Sequence, residues 1–144
     1  MRYLIALVLV GFMAGCASSQ IQRARGVDKS VHAAVTALDD AEWALCNPDA
    51  QKHCHSAVAA YTTAVHLQAN EHIKTMLKAA NALNEAVVTA PVPTGAKVSL
   101  ATVSDEVRAL SDLLKPVLPA DSKVLSAIDT VTQDILALLP IFLK

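Results

Sequence analysis

The chain contains few aromatic residues, few glycines and almost no net charge, and each shortage excludes a class of function. Aromatic residues make up 3% of the 144 residues, and the formal net charge is −1. Binding of nucleic acid needs a positive field along the phosphate backbone and aromatic rings on which bases stack, so we expect no nucleic-acid partner. Of the 4 glycines, only Gly26 and Gly95 lie beyond residue 15, which excludes a glycine-rich phosphate-binding loop.

Long hydrophobic runs are also scarce, and the clearest one lies at the amino terminus. It extends from Tyr3 to Ala14, follows the single charge of Arg2 and gives way to polar residues after Ala17. A membrane-spanning helix needs about 20 consecutive apolar residues, which this run does not reach. A short apolar run behind one basic residue is typical of a cleaved signal peptide, with retention as an uncut anchor as the alternative.

Small residues directly precede a cysteine at the end of this run, in the sequence Met13-Ala14-Gly15-Cys16. The motif resembles the lipobox of bacterial lipoprotein precursors. The resemblance implies cleavage before Cys16, a diacylglycerol thioether on that cysteine and acylation of the new amino terminus, which together anchor a protein in the bilayer at about 0.8 kcal/mol per buried CH₂. Ala17 rather than aspartate after the cysteine implies the outer membrane of a Gram-negative cell, with the protein facing the periplasm. A chance cysteine in an ordinary secretory signal is the alternative.

Two further cysteines, Cys46 and Cys54, would remain in the exported domain. An even pair of cysteines in an exported domain predicts one disulfide. Seven residues separate the two, including the helix breaker Asn47-Pro48, so the bridge would close the turn between two helices. Closing a loop of about nine residues corresponds to about 2.5 kcal/mol of stabilisation.

Four segments carry apolar residues at alternating three- and four-residue steps, the spacing of amphipathic helices. The third shows it most regularly, at Leu100, Val103, Val107, Leu110, Leu114 and Val117. None of the segments alternates with the period of two that marks a strand. The pattern predicts an all-α fold, a four-helix bundle built from two helical hairpins. The predicted organisation is a lipoprotein signal peptide (1–15), a lipidated tether (16–26) and a helical domain (27–144) comprising a hairpin (27–90), a linker (91–97) and a second hairpin (98–144).

The second helix is predicted to be unusually long. Its apolar pattern starts at Asn47-Pro48-Asp49 and continues to about Thr89, which corresponds to about 60 Å, against about 25 to 30 Å for the other three helices. The bundle would then be elongated, unless this helix breaks. The segment from Thr62 to Asn70 is the expected place for a break, because two successive four-residue steps interrupt the pattern there.

The histidines and acidic residues form no recognisable catalytic or metal-binding motif. Two histidines chelate a metal from one helix at spacings of three or four, which do not occur among His32, His53, His55, His66 and His72. A metal site assembled across helices and a c-type haem attachment through Cys46 and Cys54-His55 are the weaker alternatives. The serines lie in no nucleophile motif. We therefore expect no catalytic residues, no metal and no cofactor.

The carboxyl-terminal segment has more apolar residues than one helical stripe uses. Ile135, Leu138 and Phe142 fall on the predicted core face, whereas other apolar residues point elsewhere. A helix that is apolar on more than one face is either buried on two sides or presents a binding patch. The candidate partner-binding residues are therefore Leu136, Leu139, Ile141, Phe142, Leu143 and, beside the predicted disulfide, Trp43.

These patterns together predict a non-enzymatic, membrane-anchored envelope lipoprotein that acts through protein–protein contacts. Assembly factors, inhibitor or immunity proteins and phage exclusion factors all have this character. The expected partners are the lipid bilayer, through Cys16, and an envelope protein or a second copy of the chain. The alternative is a periplasmic module that binds a small apolar ligand or a metal ion, with the ligand in a cavity lined by residues such as Met76, Leu83, Val107 and Ile135.

Overall fold

The described part of the protein is α-helical apart from its connections. The computed structural model describes residues 26, 29–49, 51, 53–88 and 94–142, and no strand occurs among them. Helix α1 covers residues 29–46, and it is followed by α2 (Thr63–Val88), α3 (Thr94–Leu114) and α4 (Lys123–Phe142). The all-α prediction is confirmed. The signal peptide, Cys16 and the tether up to residue 25 lie outside the described residues.

The four helices pack into a bundle of two hairpins, as predicted. Helix α2 packs along α3, and α3 packs against α4. Helix α1 contacts both α2 and α4. Glu42 contacts His66 of α2, and the Ser30 hydroxyl donates a hydrogen bond of 2.7 Å to Asp134 Oδ2 of α4.

The core follows the predicted spacing of three and four residues, because such residues share one face of a helix. In α2, α3 and α4 the buried apolar residues are Ala69, Ile73, Met76, Ala79, Ala80, Leu83, Ala96, Leu100, Val103, Val107, Leu110, Leu114, Val124, Ile128, Val131, Ile135 and Leu138. Alanines such as Ala69, Ala80 and Ala96 are buried within this set. Their small side chains allow the helix backbones to approach closely while burying modest area.

The predicted start of the second helix at Asn47 is wrong. Helix α2 begins at Thr63 and has 26 residues, about 39 Å. Asn47 has a positive φ of 44°, a left-handed conformation that ends helix α1. Thr62 then caps α2, because its side-chain oxygen accepts from the Val65 N–H at 3.4 Å. The described residues between Cys46 and Thr63 are non-helical, so the interruption precedes the expected segment, Thr62 to Asn70, which is helical from Thr63 onward.

The start of α3 also differs from the predicted boundary. Helix α3 already begins at Thr94, so residues 94–97 of the predicted linker are helical, and Ala96 among them is buried. Helix α4 continues through Pro140 to Phe142. A proline removes only one backbone hydrogen bond, and near the end of a helix that loss is tolerated.

Candidate functional site

Three polar side chains form a buried cluster between the two helices of the first hairpin. Glu42 lies on α1, Tyr61 ends the connecting loop and His66 lies on α2, and all three are buried. Glu42 Oε1 accepts hydrogen bonds from the Tyr61 hydroxyl and from His66 Nδ1 at 2.6 Å. The cluster therefore joins α1 to α2 through polar contacts inside an otherwise apolar core.

The second oxygen of Glu42 is the unusual feature of this cluster. Oε2 is buried and has no hydrogen-bond partner among the described residues, although most buried polar atoms are paired. Burial, together with the hydrogen bond to Glu42 and its negative charge, raises the pKa of Tyr61 well above its ordinary value. Tyr61 consequently keeps its proton and remains a donor to Glu42. In the Glu42 carboxylate, Oε1 accepts two hydrogen bonds, whereas Oε2 has no hydrogen-bond partner among the described residues.

The predicted disulfide lies directly beside the cluster. Cys46 at the end of α1 and Cys54 in the loop are bridged, with 4.7 Å between their Cα atoms. Both sulfur atoms and a ring nitrogen of His66 lie within 4.8 Å of one another. Cys46 is buried and Cys54 is partly buried. His66 therefore stands between the Glu42 carboxylate and the disulfide.

Local hydrogen bonds hold the loop that carries Cys54 in a non-helical conformation. Asp49 Oδ1 accepts from the backbone N–H of Gln51 at 2.9 Å and of His53 at 2.8 Å. Asp49 Oδ2 lies 3.1 Å from His55 Nε2 and 3.4 Å from His53 Nδ1. The backbone N–H of Cys54 donates to Thr63 Oγ1 at 3.1 Å. The two histidines that flank Cys54 in sequence thus surround Asp49 at the surface.

The surroundings of Asp49 predict a strongly acidic titration. The hydrogen bond from the His53 backbone, followed by that from the His55 side chain, lowers the pKa of Asp49 from 3.8 to about 2. Because the folded-state pKa is lowered, this stabilisation is present above pH 3.8 and is lost as the pH falls through about 2. Carbon-13 NMR should show the Asp49 carboxyl titrating near pH 2. In His55→Ala the midpoint should rise only part of the way, because the His53 backbone bond remains; an ordinary midpoint in the wild type would contradict this account.

Trp43 is the exposed aromatic residue next to this site. Its side chain is 51% exposed, and its ring meets that of His66 with 6.0 Å between centroids and an interplanar angle of 61°, an edge-to-face contact. The Asn47 N–H donates to the Trp43 carbonyl at 2.9 Å. Since Glu42 fixes His66 and the disulfide fixes the end of α1, the Trp43 ring has a rigid support.

The predicted partner-binding residues at the carboxyl terminus divide into three groups. Leu136 is 52% exposed, whereas Leu139 is partly buried against the core. The side chains of Ile141 and Phe142, and Leu143 as a whole, lie outside the described residues.

Leu136 and Leu139 line an open groove of about 460 Å³ between α3 and α4. Most of its other lining residues are polar or charged: Ser104, Asp105, Arg108, Ser111, Asp112, Lys115, Asp129 and Thr132. Charges of both signs line this groove, which makes it unlike an apolar ligand pocket.

A second histidine–carboxylate pair provides a natural comparison for the buried cluster. His72 Nδ1 on α2 lies 2.6 Å from Glu106 Oε2 on α3, and both side chains are partly exposed. The distance equals that of the Glu42–His66 pair. Unlike His66, however, His72 does not belong to the group of ligand atoms from Cys46, Cys54 and His66 that lie within 4.8 Å of one another. The two pairs therefore differ in burial and in their neighbours, not in the contact itself.

The buried cluster was not predicted from the sequence. The apolar pattern assigns Ala41 and Leu45 to the core face of α1, whereas the buried positions are Leu38, Glu42 and Cys46. The signal that was available is the four-residue spacing of Glu42 from both Leu38 and Cys46, which places a charged residue on a buried stripe.

Comparison with known proteins gave no match to this chain: none with a protein-family model, none with a curated protein and none with a solved structure. Within the described helices, none is long and apolar enough to cross a bilayer. The fold and the site define a class, a disulfide-stapled helical bundle with a buried polar cluster beneath an exposed tryptophan. Its function has to be argued from that geometry and from the amino-terminal motif.

Proposed function

We propose that the protein is a lipoprotein of the bacterial cell envelope that is anchored through Cys16 and acts without catalysis by binding a partner protein. The lipobox-like sequence ending at Cys16 supports the anchor, and Ala17 after that cysteine supports the outer-membrane location. The observation that carries the binding function is Trp43, which is 51% exposed yet held against the ring of His66.

A rigid, exposed tryptophan has the properties of an interface anchor. Tryptophan is enriched among the few residues that dominate the binding energy of protein interfaces. A side chain that is already held in place also loses little conformational entropy on binding. Leu67, the residue after His66, is a further exposed apolar side chain on α2. We propose the surface of the first hairpin around the contact between Trp43 and His66 as the partner-binding surface, and call it the Trp43 surface.

Some of the carboxyl-terminal residues pack in the core, and others are exposed. Leu138 is buried and Leu139 packs against the core, so part of this segment stabilises the bundle. Leu136 is exposed at the edge of the groove between α3 and α4, and we propose it as a secondary contact. Binding by Ile141, Phe142 and Leu143 stays a prediction.

The core does not favour a small apolar ligand. The residues suggested as the lining of a ligand cavity are Met76, Leu83, Val107 and Ile135, and all of them are buried in the same packed cluster. An apolar ligand would have to displace these contacts, which individually contribute to stability. We therefore propose a protein partner rather than a small ligand.

Replacing Cys16 tests the anchor directly. Cells that express the full chain should incorporate radiolabelled palmitate into the wild type and none into Cys16→Ser, because the thioether needs the cysteine sulfur. The unlabelled variant should also leave the membrane fraction.

A double variant, Cys46→Ser with Cys54→Ser, is the matched control. It loses two of the three cysteines but retains Cys16, so it should incorporate as much label per molecule as the wild type. Labelling of the Cys16→Ser protein would refute the lipoprotein proposal.

A further inference from the structure

Cys46, Cys54 and His66 lie close together and have side chains of the types that bind metal ions, but the two cysteines are joined in a disulfide. We propose that reduction of this disulfide opens a site for a thiophilic divalent cation of the Zn²⁺ class, bound by the two cysteine sulfurs and by His66. This inference goes beyond the proposed function and does not depend on the anchor or on the partner.

The distances between the three ligand atoms suit such a cation. The two sulfurs and a ring nitrogen of His66 all lie within 4.8 Å of one another. Bonds of about 2.3 Å to sulfur and about 2.0 Å to nitrogen place the ligand atoms of a tetrahedral zinc about 3.5 to 3.8 Å apart. After reduction the sulfurs need only separate to about that distance. Cys54 lies in a loop rather than in a helix, so it has the freedom to make this small movement.

The hydrogen bond of His66 to a carboxylate is one that metal-binding histidines often make. His66 Nδ1 donates to Glu42 Oε1 at 2.6 Å, which leaves Nε2 as the ring nitrogen with a free lone pair. Histidines that bind metals commonly donate their other ring N–H to a carboxylate in this way. The contact fixes the tautomer and makes the imidazole a better ligand.

The unpartnered oxygen of Glu42 shows that the polar cluster around His66 is incompletely satisfied. Glu42 is fully buried, and its Oε2 has no hydrogen-bond partner among the described residues. A buried carboxylate is costly unless positive charge or donors compensate it. The two thiolates would cancel the charge of a divalent cation, so the cation would act on Glu42 through His66, by strengthening the hydrogen bond that Nδ1 donates to Oε1. In the disulfide-bonded form that donor and the Tyr61 hydroxyl compensate Oε1, and Oε2 has no partner among the described residues.

The chemical steps balance with a dithiol as the reductant. The dithiol transfers two electrons and two protons, so that the bond between Cys46 and Cys54 breaks, two thiols form and the dithiol becomes a disulfide. Binding of the cation then releases the two thiol protons, because thiolates are the ligands. With two sulfurs and one nitrogen, one coordination position stays open for water. Exchange with a disulfide, which takes up the two electrons and two protons from water and becomes a dithiol, re-forms the bond between Cys46 and Cys54 and releases the cation.

A titration of the full chain with Zn²⁺ and Co²⁺ tests the site. The protein is reduced in detergent with a phosphine, which becomes a phosphine oxide, and the reductant is removed under argon. Reduced protein should bind one cation per chain and release two protons, and Co²⁺ should produce thiolate charge-transfer absorption. Oxidised protein should show neither. Equal binding by both forms, or no charge-transfer band after reduction, would overturn the proposal.

Two histidine variants on the same helix separate this site from general metal binding. His66→Gln should lower the Zn²⁺ affinity of the reduced protein by more than about 100-fold, the upper range for loss of an outer-shell partner. His72→Gln removes the other histidine of α2, which contacts Glu106, and should leave the affinity unchanged. Glu42→Gln should lower it by about 10- to 100-fold. Wild-type affinity in His66→Gln would refute the assignment of this ligand.

A measurement on the wild type keeps the test valid if these buried variants do not fold. X-ray absorption of the zinc-loaded, reduced protein should show two sulfur neighbours at about 2.3 Å and at least one nitrogen neighbour at about 2.0 Å. A shell made only of nitrogen and oxygen would exclude the cysteines and overturn the proposal.

Discussion

Replacing Glu42 with alanine is expected to lower the free energy of unfolding by about 3 kcal/mol. The change removes the acceptor that pairs the Tyr61 hydroxyl and the His66 ring N–H and leaves both donors buried. A donor that loses its partner in the core costs about 1 to 3 kcal/mol. Removal of Oε2, a buried oxygen without a hydrogen-bond partner among the described residues, recovers part of this free energy. A net loss remains, because two buried donors lose their acceptor while one unpaired oxygen is removed. Urea unfolding followed by circular dichroism measures the difference.

Glu106→Ala is the matched control for this prediction. It removes the carboxylate from the second histidine pair at the same distance of 2.6 Å, but His72 and Glu106 are partly exposed, so water can replace the lost contact. The expected loss is below about 1 kcal/mol. Equal losses in Glu42→Ala and Glu106→Ala would mean that burial of the cluster contributes nothing to stability.

The apolar periodicity of the sequence predicts the helices correctly unless local side-chain hydrogen bonds override it. In α3 and α4 nothing opposes the apolar pattern, and residues such as Leu100, Val107 and Ile128 are buried as predicted. In the loop after α1 the pattern continues through Cys54 and Val58, yet the hydrogen bonds to Asp49 and the positive φ of Asn47 end the helix. Side-chain bonds of this kind compete with helix formation.

At the candidate site, the disulfide could be predicted from the sequence, whereas the buried cluster could not. Because the lipobox resemblance sets Cys16 aside, counting the remaining cysteines predicts the pairing of Cys46 with Cys54, and this pairing is confirmed. The roles of Glu42 and His66 could not be derived from spacing along one helix, because their contact joins residues 24 positions apart. Such a contact depends on how α1 and α2 pack, so it requires the tertiary structure.

Trp43→Ala is expected to weaken binding of the partner protein by about 30-fold, which corresponds to the loss of about 2 kcal/mol typical of an interface hot spot. The side chain is half exposed, so the same change should lower the free energy of unfolding by less than this amount. Val98→Ala provides the control, because Val98 on α3 is 61% exposed but lies outside the Trp43 surface. Calorimetric titration of the two variants against the purified partner measures both affinities. Equal affinities would remove Trp43 from the interface.

Site-specific photocrosslinking in living cells tests the central claim most directly. A photoreactive phenylalanine at position 40, which is exposed on α1 three residues before Trp43, leaves the tryptophan in place and lies on the same face of the helix. The same group at exposed position 98 serves as the control. We predict an adduct of one defined mass from position 40, absent from position 98 and lost when Trp43→Ala is added. An adduct of twice the mass of the chain would identify a second copy as the partner. No adduct from position 40, or the same adducts with and without Trp43, would contradict the account.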